Sequence, residues 1–197
     1  MRRVAWALLL AFAFAVPWEY SLDIGEPLGN IARIAGLVLL LASVPAVLQS
    51  PQLRRPGPVQ WLALALFLWF CCTFFWTIEA QATLGRLRGY FQVMLPVWLV
   101  WELADDAQHL RDLLRAFIAG SWLLAVLTIA DLASPEAGQI RFVAGGQDPN
   151  DVARFLDLGF PLAMLLADSE TTWLGKALAI GYLPVGLVGV LLTASGT

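Results

Sequence analysis

Between Gln139 and Asp157 the chain reads QIRFVAGGQDPNDVARFLD, a dense run of charged and turn-forming residues set between two apolar blocks. Arg141, Asp148, Asn150 and Asp151 are the residues here able to do chemistry, and Arg33, Arg86 and Arg88 add three more guanidinium groups. A guanidinium is a planar fork of donors that binds phosphate oxygens two at a time. A carboxylate can accept a hydroxyl proton in a transition state. Several arginines converging on one cavity therefore suit an anionic ligand, with phosphate the best match and a lipid-linked pyrophosphate the natural candidate beside a membrane.

The local sequence around these residues reads as a built turn. Gly145-Gly146 permits backbone conformations closed to other residues, and Pro149-Asn150-Asp151 reads as a turn leading into a helix N-cap. The first free amides of that helix, at its positive end, would favour an anion. Within it Asp151, Arg154 and Asp157 are three apart, so each acid can reach the arginine between them.

The elements that must position these groups are membrane helices. Apolar residues make up 59% of the chain and charged residues only 14%, with nine Trp and eleven Phe. About 20 apolar residues span a bilayer as a helix, and in hydrocarbon every backbone group must be satisfied within its own segment. Runs of that kind without strand-type alternation predict an all-α fold, a polytopic transmembrane helical bundle of about seven spans. The expected spans are Val4–Trp18, Ile31–Leu48, Val59–Thr77, Tyr90–Leu103, Leu113–Asp131, Val152–Ala167 and Lys176–Thr193. The fourth and sixth are short and carry Pro96 and Pro161, which remove backbone donors and favour kinks. Residues 1–197 read as a single membrane domain. Arg2-Arg3 before an apolar run also fits a secretory signal, but a signal releasing a soluble domain would not be followed by six more apolar blocks.

Short loops rich in Lys and Arg stay cytoplasmic. With the N-terminus inside, Arg2, Arg3, Arg54, Arg55, Arg111, Arg115 and Lys176 face the cytoplasm, and Arg33, Arg86, Arg88, Arg141 and Arg154 lie on or near the outer side. The outer loops then hold Glu19, Asp23 and Glu26, next Glu79, Arg86 and Arg88, and last Arg141, Asp148, Asn150 and Asp151. Trp18, Trp61, Trp76 and Trp173 fall near span ends, where indole rings favour the membrane interface.

Four places resemble the N-terminal half of the O-antigen ligase and polymerase-like superfamily. They are Ser21 to Gly36 with Asn30 and Arg33, Trp76-Thr77-Ile78-Glu79 followed by Arg86 and Tyr90, Arg141-Phe142 leading to Asp148-Pro149-Asn150, and Leu192 to Gly196. The resemblance implies a multi-pass protein of the bacterial inner (plasma) membrane. It also implies a partner set: an undecaprenyl-diphosphate-linked glycan, a lipid or glycan acceptor, and membrane lipids. The implied reaction is glycosyl transfer at the periplasmic face, in which an acceptor hydroxyl attacks the anomeric carbon and the diphosphate leaves. Arg86, Arg88, Arg141, Arg33 and Asn150 would bind the diphosphate, with Asp148 and Asp151 as candidate proton acceptors. Such proteins continue through further spans and a large periplasmic loop bearing more arginines and a histidine, so the chain reads as the first part of a longer protein. In many of them an Arg follows the Thr-x-Ser, where Gly196 and Thr197 stand here.

Plainer readings stand beside these. Arg86 and Arg88 would equally anchor a helix by reaching to lipid headgroups. Arg33 asks for a partner such as Glu26 or a lipid phosphate, and Asp157 reads as a structural partner of Arg154. Thr193 and Ser195 are ordinary helix-packing hydroxyls. His109, the one histidine, lies in an expected cytoplasmic loop, where the run from Glu102 to Arg115 reads as a solvated loop and helix start. Cys71-Cys72 lacks metal or redox spacing, so no metal and no cofactor is implied. The net charge of −3 gives no case for nucleic acid. A transporter or flippase-like binding protein for a lipid-linked or anionic solute is the alternative, and a purely structural membrane subunit is a third. A transport path asks for ionisable residues near the bilayer midplane, and spans three, five and seven are nearly free of them. Replacing Arg141 with Ala in the complete protein is expected to abolish glycan transfer while leaving membrane insertion intact. Unchanged transfer would remove Arg141 from the mechanism.

Overall fold

A computed structural model describes residues 2–19, 31–48, 54–132 and 148–194. Among these residues the chain is about 90% helical and contains no strand. Seven α-helices are described: α1 (Arg2–Ala15), α2 (Ile31–Leu48), α3 (Pro58–Thr73), α4 (Ala80–Leu103), α5 (Ala107–Asp131), α6 (Pro149–Ser169) and α7 (Trp173–Ala194). Short 3-10 turns at Val16–Trp18 and Phe74–Trp76 extend α1 and α3. Three helices are long and apolar enough to cross a membrane, Pro58–Trp76, α5 and α7, and Ile31–Val47 is apolar but shorter. The fourth helix corrects the expected boundary. It begins at Ala80, ten residues before Tyr90, so Arg86 and Arg88 are helical residues and not members of an outer loop. The polar stretch AQATLGRLR hid this start, because it is helix-compatible without being apolar.

The chain divides into two compact units, residues 1–9 with 40–105 and residues 10–39 with 106–197. In the first, α3 and α4 form an antiparallel hairpin joined by aromatic contacts. Phe70 stacks on Tyr90 with centroids 4.1 Å apart, and Phe67 meets Phe91 at 6.1 Å. Pro58 opens α3 where its missing N–H is no loss, and Gln60 Oε1 accepts the Gly57 amide at 3.1 Å. The last carbonyls of α4 have no donors of their own helix. Arg54 supplies them, its Nη1 donating to the carbonyls of Trp101 and Ala104 at 2.7 Å each while its guanidinium lies 4.5 Å over the Trp101 ring. Arg2 adds a bond to the Glu102 carbonyl and pairs with Asp105. These cations also oppose the negative end of the helix dipole.

The second unit is a three-helix core of α5, α6 and α7, against which the Val16–Trp18 turn and the start of α2 pack. Asp106 caps α5 by accepting the His109 amide at 2.8 Å, which holds its carboxyl below the ordinary range. Close approach depends on small residues, as in membrane bundles generally. Gly120 lies under the Phe14 carbonyl, and Gly189 has Leu156 Cδ1 2.8 Å from where a Cβ would stand. Tyr182 is fully buried between Gly159 and Gly186, and its hydroxyl donates to the Leu156 carbonyl at 2.7 Å. That carbonyl neighbours the one at Asp157, which Pro161 leaves without its helical donor. Trp122 Nε1 donates to the Leu178 carbonyl at 2.9 Å. Trp18 is 9% exposed and sits in the core with Ala15, Ala32 and Leu124. It was expected at a membrane interface, and the fold instead turns it inward. Trp61, Trp76 and Trp173 are exposed.

A methyl group at Gly159 would overlap the buried Tyr182 hydroxyl, whereas one at Gly85 meets nothing within 4 Å. Gly159→Ala is therefore expected to destabilise by about 1–3 kcal/mol through overpacking. Gly85→Ala is expected to stabilise by about 0.5–1 kcal/mol through helix propensity. Thermal unfolding in detergent checks both, and equal melting temperatures for the two variants would contradict the packing described.

Candidate functional site

The turn between α3 and α4 is built by threonines. Thr77 and Thr83 hydroxyls lie 2.6 Å apart, Thr83 Oγ1 donates to the Glu79 carbonyl at 3.0 Å, and the Glu79 amide donates to Thr77 Oγ1 at 3.3 Å. This bracket fixes where α4 begins and hence which way its second turn points. Arg86 lies three residues after Thr83, and the two share one helix face. Together with Phe70, Thr73, Leu87 and Tyr90 they line a cavity of about 260 Å³. Arg86 is exposed, and among the described residues no hydrogen bond or ion pair engages it. Thr73 Oγ1 donates to the Phe70 carbonyl at 2.7 Å, which leaves its lone pairs to accept from a ligand. The groove thus offers an unsatisfied cation, hydroxyls and aromatic surface at one end of an apolar helix.

Arg88 does not line this groove. Two residues along a helix turn the direction by about 200°, which places Arg88 on another face of α4.

The other expected residues belong to the second unit. Asp148 is the N-cap of α6, its carboxylate accepting the Asn150 amide at 2.8 Å, and its carbonyl accepts from Asp151 and Val152 at 3.0 and 3.1 Å. Pro149 has no amide hydrogen. The free amides expected to hold an anion are therefore already used by Asp148, and the cap itself is negative. Asn150 is exposed, and Asp151 Oδ1 pairs with Arg154 Nη1 at 2.8 Å. Asp157, expected to share that arginine, makes no ion pair with it among the described residues. Arg33 is exposed in the first turn of α2. Arg141 lies outside the described residues, as do Asn30, Ser195 and Gly196.

One polar centre escaped the sequence reading. Glu170, in the α6–α7 turn, has a fully buried side chain that receives Arg115 through two 2.7 Å bonds, from Nε and Nη2. Its Oε1 also accepts the amides of Thr171 and Thr172 at 3.0 and 3.3 Å and the Thr172 hydroxyl at 3.2 Å. Thr172 Oγ1 in turn accepts the Gly175 amide at 3.2 Å, capping α7. Asp112 holds the remaining side of Arg115 at 2.7 Å. Both Glu170 oxygens are taken, so the knot fastens α5 to the α6–α7 turn. Glu-Thr-Thr before an apolar run was a visible cap signal. That Arg115 would be the partner was not visible, because it stands 55 residues away.

Comparisons of the chain with protein-family models, with curated proteins and with solved structures gave no match.

The Arg115 guanidinium holds the Glu170 carboxyl down to about 2 from 4.5, against the opposing effect of burial. The folded-state value is the lower one, so its stabilisation is present above about pH 4.5 and is lost as pH falls toward 2. Melting temperature followed by intrinsic fluorescence between pH 7 and pH 2 is expected to show this acid loss in the parent protein. Glu170→Gln should start lower at pH 7 and decline less on acidification, and parallel curves for the two would rule out the linkage.

Proposed function

We propose that the chain belongs to a multi-pass inner-membrane glycosyltransferase of the O-antigen ligase or polymerase type. In this reading its seven helices are seven spans and its N-terminus is cytoplasmic. It binds the diphosphate of an undecaprenyl-linked glycan at the periplasmic face and moves the glycan to an acceptor hydroxyl. The observation that carries the reading is Arg86, an unpartnered guanidinium in a groove of hydroxyls and aromatic rings beside an apolar helix of 19 residues. That helix is about 28 Å long, enough for the hydrocarbon core, so a groove at its end meets ligands at headgroup depth.

The acceptor oxygen forms a bond to the anomeric carbon while the bond from that carbon to the phosphate oxygen breaks. The electron pair departs with the diphosphate, and the proton passes from the acceptor hydroxyl to a carboxylate. Charge grows on the leaving group, and a cation that meets it lowers the barrier. Arg86 takes this role. In the second unit, Asp151 keeps one oxygen without a protein hydrogen bond among the described residues, whereas Asp148 is committed to its cap; the carboxylate that takes the proton at the Arg86 groove is left open. The middle stretches of α4 and α6, from Gly89 to Trp101 and from Leu158 to Ala167, carry no charged residue, which supports chemistry at a membrane surface over a path through the bundle.

The test is transfer from a lipid-diphosphate glycan in membranes holding the complete protein. Arg86→Ala is expected to lower transfer by about 100-fold, the usual effect of losing one charge-stabilising donor, with membrane insertion unchanged. Parental rates in a correctly inserted Arg86→Ala protein would end the proposal.

A further inference from the structure

Arg88 poses a different problem from Arg86. It is exposed, and among the described residues neither a hydrogen bond nor an ion pair engages it. Residues at helical spacing on its face include Leu84 and Phe91, which are 49% and 51% exposed. At the same end of the hairpin, Phe75, Trp76 and Ile78 are 84%, 62% and 105% exposed, and only 6% of the adjoining α3 span is buried. An arginine flanked by uncovered apolar side chains in a membrane brings its head to the headgroup level, where water and lipid phosphates stabilise it.

The geometry of α4 permits that reach. Arg88 lies eight residues after Ala80, about 12 Å along the axis from the helix start. Helical side chains lean toward their own N-terminus, so its stem rises toward the end where Trp76 sits. The nearest acid in sequence, Glu79, precedes the helix nine residues earlier. Trp and Phe at that end belong at the interface between acyl chains and headgroups.

We propose that Arg88, with the exposed side chains of Phe75, Trp76 and Ile78, forms a docking surface for an anionic phospholipid. The lipid phosphate meets the guanidinium and the acyl chains cover Leu84, Phe91 and the uncovered face of α3. The contact fixes the depth of the hairpin in the bilayer and thereby the level at which the Arg86 groove opens. It is separate from the glycan-transfer reading, since it uses a different residue on a different helix face and a bulk membrane lipid.

Native mass spectrometry of the full chain released from nanodiscs tests it, with phosphatidylglycerol or phosphatidylcholine as the lipid. The parent protein is expected to retain phosphatidylglycerol over phosphatidylcholine, and Arg88→Ala to reduce that retention by about fivefold, the effect of one cation near an anionic surface. Arg88→Lys should keep most of it, and Arg86→Ala should leave it unchanged. With the parent protein alone, raising salt should lower retention, while millimolar inorganic phosphate should not compete. Equal retention by Arg88→Ala, an equal loss in Arg86→Ala, displacement by inorganic phosphate, or a dimer that forms in place of lipid retention would each overturn the proposal.

Discussion

A backbone amide or carbonyl shielded from water must find a partner within the protein, and this constraint runs through the whole molecule. It favours helices, and side chains then supply partners at several helix ends and beside Pro161. Asp106, Asp148 and Thr172 take amides at the starts of α5, α6 and α7. Arg54 and Arg2 take the last carbonyls of α4. Tyr182 serves the Leu156 carbonyl next to the turn that Pro161 disrupts, and Trp122 serves the Leu178 carbonyl in α7. An unsatisfied group in hydrocarbon costs several kcal/mol, about as much as many side-chain contacts together.

The two units meet the constraint with different packing. In residues 10–39 and 106–197, glycines let backbones and large side chains approach closely, so Tyr182 fits between Gly159 and Gly186 with no exposure. Of the α5 and α7 spans, 39% and 28% is buried. The α3–α4 hairpin relies on aromatic stacking along one stripe and leaves most of α3 uncovered. Among the described residues, most of the α3 surface is thus left exposed.

Arginines play three roles that their identity does not separate. Arg54, Arg2 and Arg115 are structural, each holding carbonyls or a carboxylate. Arg154 pairs with Asp151 one turn away on the surface of α6. Arg86 and Arg88 carry no partner among the described residues, and two positions on one helix send one into a groove and the other outward. Which arginines are already engaged within the protein is thus decided by their neighbours.

The sequence alone determined the all-α class and placed an apolar run within each of the seven described helices, three of them long and apolar enough to cross a membrane, because such runs lack strand-type alternation. It also marked the cap at Asp148 and the punctuation at Pro149, since these act within a few residues of themselves. Tertiary structure decided what depends on distant partners. The start of α4 is set by the Thr77–Thr83 bracket, the inward turn of Trp18 by its neighbours in α5, and the burial of Glu170 by Arg115. The separation of Arg86 from Arg88 needed both the helix boundary and the facing helix. Local periodicity fixes which residues share a face, but only packing fixes what that face meets.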